Sequence, residues 1–123
     1  MTWAAVLLVV TATAGFRHDS IPTAEEVIAR LAPRLGASVS YARTEEEMAW
    51  ALTADALRGV DVVLFVNTTG ELAVPSRDDL LRWIAAGGSF VGVHSATDTW
   101  HDWPAYIDMI GGEFGRASCR ERV

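Results

Sequence analysis

Apolar residues along this chain fall into short unbroken runs, separated by segments in which they recur at helical spacing. Ala4–Thr11 is a valine- and leucine-rich run and predicts a first buried strand. It closes in the turn Ala14-Gly15-Phe16. Thr23-Ala24-Glu25-Glu26 has the form of a capping box, in which a threonine hydroxyl and a carboxylate satisfy each other's free backbone amides. The helix it would open carries Val27, Ile28, Leu31 and Leu35 on one face. Pro33 weakens its last turn and Gly36 stops it.

Ala37–Ala42 predicts a second, weaker strand. Thr44-Glu45-Glu46-Glu47 is another capping box, opening a short helix through Met48 and Trp50, and Thr53–Arg58 predicts one more helical turn. Val60–Val66 holds Val62-Val63-Leu64-Phe65-Val66, the clearest buried strand. Ser76 is placed to cap a helix from Arg77 to Ala86, with Asp79 as box partner and Gly87 as stop. Ser89–Val93 predicts a fourth strand, and Trp103–Ile110 a last helix with Asp102 at its N-cap, stopped at Gly111-Gly112. Strands that alternate with helices and read as apolar runs predict a parallel sheet covered on both faces, a three-layer α/β/α fold.

The composition adds few constraints. The 123 residues suffice for one domain, and half of them are hydrophobic. The net charge is −6 and the ten cations, all arginine, are scattered, so a nucleic-acid partner is not expected. Nor is a membrane partner, because no apolar stretch approaches the ~20 residues that a spanning helix requires. The apolar N-terminal run lacks the positive flank of a secretory signal. Cys119 is the only cysteine, which excludes an internal disulfide and fits a cytoplasmic, reducing setting. Residues 115–123 hold three arginines and that cysteine without periodicity. They are expected to be an aberrant or disordered tail on a truncated domain spanning 1–114. A sheet cut short exposes a strand edge, which would favour association into a homo-oligomer.

In an open parallel sheet, ligands bind beyond the carboxyl ends of the strands, near the point where strand order reverses. Three polar clusters follow strands and so gather at one edge. They are Gly15-Phe16-Arg17-His18-Asp19-Ser20, Asn67-Thr68-Thr69-Gly70-Glu71 and His94-Ser95-Ala96-Thr97-Asp98-Thr99.

His94 and His18 are candidates for proton transfer, for ligand hydrogen bonding or for a structural turn. Asp98 could orient a histidine, accept from a hydroxyl or cap a helix. Arg17 offers a planar donor fork, with a surface ion pair as its alternative. Asn67, Thr68, Thr69 and Gly70 either line a pocket or supply turn chemistry. Glu71 is the single acid of its cluster, a candidate acid or base or a solvated charge. Ser95 stands in no Gly-x-Ser-x-Gly elbow, so a turn-stabilising hydroxyl is the simpler role. Trp100, His101, Trp103 and Tyr106 form an aromatic approach to the same edge, or pack the last helix. His18, His94, Asp98 and His101 are nitrogen and oxygen donors that could converge on a metal, but no His-x-x-x-His or similar spacing supports one; no cofactor is expected, with a metal as the alternative.

These segments carry a family resemblance. Gly15-Phe16-Arg17-His18, Asn67-Thr68-Thr69-Gly70, the run Gly87 to Asp98, then Trp103, Tyr106 and Gly111-Gly112-Glu113-Phe114 resemble ThuA-like (trehalose utilisation) proteins over residues 4 to 114. The resemblance implies a flavodoxin-like fold related to class I glutamine amidotransferases. It also implies bacterial catabolism of trehalose and related disaccharides through keto-sugar derivatives. A small-molecule carbohydrate is then the expected ligand.

His94, His18 and Asp98 become the expected catalytic residues, and Arg17, Asn67, Thr68, Thr69, Gly70, Glu71, Ser95, Trp103 and Tyr106 the binding residues. Amidotransferases place a cysteine in a Gly-x-Cys-x-Gly turn, and here Gly92-Val93-His94-Ser95-Ala96 puts histidine in its place. Imidazole cannot replace a thiolate in that chemistry, so no glutaminase activity is expected. A non-catalytic ligand-binding or interaction module on the same scaffold is the alternative. A flavin-binding flavodoxin is disfavoured by the Phe16–Asp19 insertion before the first helix.

Overall fold

The computed structural model describes residues 4–114. The tail expected at 115–123, with Cys119, lies outside the described residues. Strands β1 (Ala5–Val10), β2 (Ala37–Ala42), β3 (Val62–Val66) and β4 (Ser89–Val93) form one sheet in the order β2-β1-β3-β4. Every pairing is parallel. Helices α1 (Ile21–Leu31), α2 (Glu45–Ala51), α3 (Ala54–Leu57), α4 (Arg77–Ala85) and α5 (Pro104–Ile110) connect or follow the strands. The fold is the three-layer α/β/α arrangement that the alternation of runs and helices predicts, and it is flavodoxin-like, as the family resemblance implies.

Register decides which strand residues enter the core. Leu8 pairs with Val63 and Val10 with Phe65, so the four point to one face. There they cluster with Met48 of α2, Leu52, Leu57 of α3, Leu80 of α4 and Tyr106 of α5. Val9 and Val66, of the opposite parity, are buried outside that cluster. The chain steps one way from β1 to β2 and the other way from β2 through β3 to β4. Right-handed crossovers therefore put α1 on this second face, opposite α2, α3 and α4. At the sheet's β4 edge the second face is open, and Val91 and Val93 keep 43% and 40% of their surface exposed.

Several local expectations shift. Helix α1 begins at Ile21, before the expected Thr23 cap, because Pro22 fits a first helical turn. Its inward stripe is buried Ile21 with half-buried Ala24, Glu25 and Ile28, continued by buried Ala32, while Val27 and Leu31 face outward. Glu26 bonds Arg30 one turn on and does not close a box. Ala32–Leu35 tightens into a 3-10 turn at Pro33, and Gly36 ends it at φ 69°. The Thr44 cap forms as expected, with the Glu47 amide donating to its hydroxyl at 3.0 Å. Ser76 does not cap α4; its hydroxyl donates to the Leu52 carbonyl, and Asp79 accepts from the Ala54 amide. Asp102 is not the N-cap of α5, a position held by Trp103; Asp102 pairs with Arg77.

Candidate functional site

Strand β1 lies between β2 and β3, so strand order reverses at the carboxyl ends of β1 and β3. The loops leaving β1, β3 and β4 meet there and are stitched together by backbone pairing. Thr13 bridges Thr69, and Gly70 bridges Thr99, both in the parallel sense. The Ala14 amide donates to the Thr69 carbonyl at 2.8 Å, and the Gly70 amide to the Asp98 carbonyl at 2.8 Å. A Cβ on Gly70 would stand 2.7 Å from the Gly15 nitrogen, and its φ is 82°, so only glycine suits this crossing.

Threonine hydroxyls complete the seam. Thr69 Oγ1 donates to the Phe16 carbonyl and accepts from the Gly15 amide. Thr99 Oγ1 spends its proton on the Ser95 carbonyl, so Thr68 Oγ1 must be the donor in the 2.8 Å bond between the two threonines.

β4 ends in a sharp turn. Val93 is extended at φ −115°, and His94 swings to φ 52° before the 3-10 turn His94–Asp98. Left-handed backbone costs an ordinary side chain about 1–2 kcal/mol and persists only where surrounding structure enforces it. Small residues on either side make the turn possible: a Cβ on Gly92 would meet Ala96 Cβ and Ile110 Cδ1 at 3.1 Å. The result is a strand–elbow–helix turn with the His94 imidazole at its apex.

A pocket of about 250 Å³ opens there, lined by Phe16, His18, His94, Ser95, Thr97, Asp98 and Phe114. The rings of His18 and His94 meet edge to face with centroids 4.7 Å apart. Phe16 meets His18 edge to face as well, with centroids 4.9 Å apart. Ser95 is 4% exposed, yet its Oγ has no partner among the described residues. A buried hydroxyl in that state suits a water or a ligand hydroxyl. Asn67, beside the elbow, donates to Ser20 Oγ at 2.8 Å and leaves its Oδ1 equally unpartnered.

The pocket thus gathers His94, His18, Asp98 and Ser95 from the sequence-derived set. The others stand behind or beside it. Thr68, Thr69 and Gly70 form the seam, and Asn67 is buried against the loop after β1. Arg17 Nη1 donates to the Thr11 carbonyl at 3.1 Å. Glu71 holds the next turn, accepting the His101 and Asp102 amides at 3.0 and 3.1 Å. Trp103 packs against Trp100 and stacks on Tyr106 beneath the Arg77 guanidinium. Tyr106 is fully buried, donates to the Ala96 carbonyl at 2.7 Å, and has its phenol pushed up by burial. Trp103 and Tyr106 therefore pack α5.

Two features were not foreseen. Phe16, Thr97 and Phe114 line the pocket; all belong to segments whose motifs were visible, but nothing in their spacing marked them as walls. His101 bridges two carboxylates, with Nε2 2.7 Å from Asp98 Oδ1 and Nδ1 2.7 Å from Glu113 Oε2. The hydrogen bond to Asp98, then that to Glu113, hold its pKa above the ordinary 6.5. Among the described residues, no three His, Cys, Asp or Glu side chains converge to hold a metal. Among them, too, no helix is long and apolar enough to cross a membrane. Set beside known proteins, residues 6–122 match the family model described as ThuA: Trehalose utilisation. No curated protein and no solved structure matches the chain.

Proposed function

From the premise that this chain belongs to the ThuA, or trehalose utilisation, family, we propose that its pocket binds a disaccharide or keto-sugar and moves a proton on it. The observation that carries this reading is the 4.7 Å pairing of His18 and His94 in a pocket walled by Phe16 and Phe114. Aromatic walls suit the apolar faces of sugar rings, and Ser95 Oγ and Asp98 offer polar contacts to ring hydroxyls.

The reaction that fits two imidazoles is isomerisation next to a ketone. One neutral imidazole takes the proton from the carbon beside the carbonyl. The other, as imidazolium, donates its proton to the carbonyl oxygen, giving an enediol. Reversing the roles on the neighbouring carbon and oxygen moves the carbonyl by one position. Hydrolysis of a keto-glycoside is the related alternative, with the same pair as acid and base. Glutaminase activity is not part of this reading, because His94 stands at the apex of the elbow where a cysteine would be required. The reading takes the protein as cytoplasmic, in keeping with its single cysteine.

One observation favours a second reading, a binding module without turnover. Asp98 Oδ1 is committed to His101, not to either pocket histidine. Incubation with trehalose and its keto form in deuterated water separates the readings. Deuterium entering the keto-sugar, lost in His94→Ala and in His18→Ala, supports the isomerase. Binding without exchange supports the module. The absence of both binding and exchange would defeat the carbohydrate reading, and ammonia released from glutamine would refute the exclusion of glutaminase chemistry.

A further inference from the structure

The bridge centred on His101 has a property independent of any substrate. Carboxylates accept hydrogen bonds and, when ionised, donate none. With Asp98 on Nε2 and Glu113 on Nδ1, each at 2.7 Å, both ring nitrogens must carry protons for both bonds to exist. A neutral imidazole keeps one bond and turns a lone pair towards the other carboxylate.

Glu113 sits at the end of a short strap that begins at a glycine hinge. Gly111 has φ 93°, and Gly112 follows it with open space where a Cβ would stand. The strap leads to Phe114, whose amide donates to the Thr97 carbonyl at 2.7 Å and which lines the pocket. Asp98, the other end of the bridge, is also a pocket residue. Among the described residues, the Phe114 tie and the Asp98 end of the bridge both belong to the 3-10 turn His94–Asp98.

We infer that Asp98–His101–Glu113 is a proton-operated clasp, which tightens the hold on Phe114 against the pocket while His101 is an imidazolium and loosens it when that proton leaves. As a regulation of the pocket, the clasp rests on the reading of that pocket as the ligand site. The surrounding charges agree with it. Besides Asp98 and Glu113, the Glu71 carboxylate accepts the His101 amide. Asp102 is next in the chain, and its partner Arg77 is the cation of this group. Two acids thus bond the His101 ring directly and favour its charged form, while Glu71 holds the backbone of the same residue.

The test is an NMR titration of the full chain, following the His101 ring and the Phe114 amide from below the ordinary histidine range to well above it. The Phe114 signal is expected to move with the same midpoint as the His101 ring. Glu113→Gln, which keeps the size of the side chain, should lower that midpoint. His101→Gln should abolish the Phe114 transition. A Phe114 amide indifferent to His101, or a midpoint unmoved by Glu113→Gln, would overturn the clasp. Trehalose and its keto form, added in the same experiment, report on the site through His18 and His94. If neither sugar moves those rings while Phe114 still follows His101, the clasp stands and the sugar reading falls.

Discussion

Asn67 and His94 lie side by side, each one residue beyond the paired ends of β3 and β4, and both turn into left-handed backbone, at φ 55° and 52°. The Asn67 amide donates to the carbonyl of Val93, which fixes the residue just before the elbow. Asparagine accepts this conformation readily through local hydrogen bonds; histidine is found there too, but at a backbone cost that glycine would not bear. Strain at His94 is therefore held in place by the neighbouring strand end.

Exchange of His94 for glycine should remove that strain. We expect His94→Gly to leave stability unchanged or to raise it by up to ~1 kcal/mol, with ligand binding lost. His94→Val should lower stability by about 1–2 kcal/mol, since a branched side chain is an outlier there. Urea denaturation of the three proteins checks this, and a His94→Gly protein less stable than wild type by more than ~1 kcal/mol would refute the strain.

Gly70 is the crossing point of the loop seam. Gly70→Ala would force a Cβ to 2.7 Å from the Gly15 nitrogen at an unfavourable φ. A loss above ~2 kcal/mol is expected, because backbone cannot step aside as a side chain can. A denaturation midpoint close to wild type would mean that the loops after β1 and β3 are not in contact.

Tyr106 ties α5 to the elbow through the Ala96 carbonyl. Tyr106→Phe keeps the ring packing and leaves that buried carbonyl unpaired, so a loss of about 1–2 kcal/mol is expected. Thermal melting of the variant is sufficient to check it, and an unchanged melting temperature would rule out the bond.

His101 gives stability a pH dependence of known sign. Its folded-state pKa is raised above 6.5, chiefly by the bond to Asp98 and then by that to Glu113. The stabilisation is complete below the ordinary value and fades as pH rises through the raised one. Wild type should therefore exceed His101→Gln in melting temperature on the acid side of 6.5, and the gap should close in alkali. A gap that widens with pH would contradict the bridge.

Much of the fold was legible because its strands are apolar runs and its caps are local. Val62–Val66 needs no partner to be recognised, and Thr44 bonds an amide three residues away. Three expected caps that failed have partners far along the chain. Ser76 is engaged by the Leu52 carbonyl, Asp79 by the Ala54 amide and Asp102 by Arg77. Composition around residue 76 carries no trace of residue 52. The same limit applies at the pocket. That His18 and His94 share an edge followed from strand–helix alternation, but their contact depends on strand order. Trp103 and Tyr106 read equally well as sugar platforms or as packing; only the helix's orientation separates these.

The seam of Thr13 with Thr69 and Gly70 with Thr99 has a thermodynamic consequence for recognition. It extends β-type pairing past the ends of the strands, so the loops beneath the pocket are ordered when the protein folds, not when a ligand arrives. Immobilising loose side chains and loops is a large part of the cost of association. A floor that is already fixed leaves mainly the Phe114 strap to be immobilised. Association here should then resemble a key entering a cut lock, with its entropy change concentrated in a few residues at the rim.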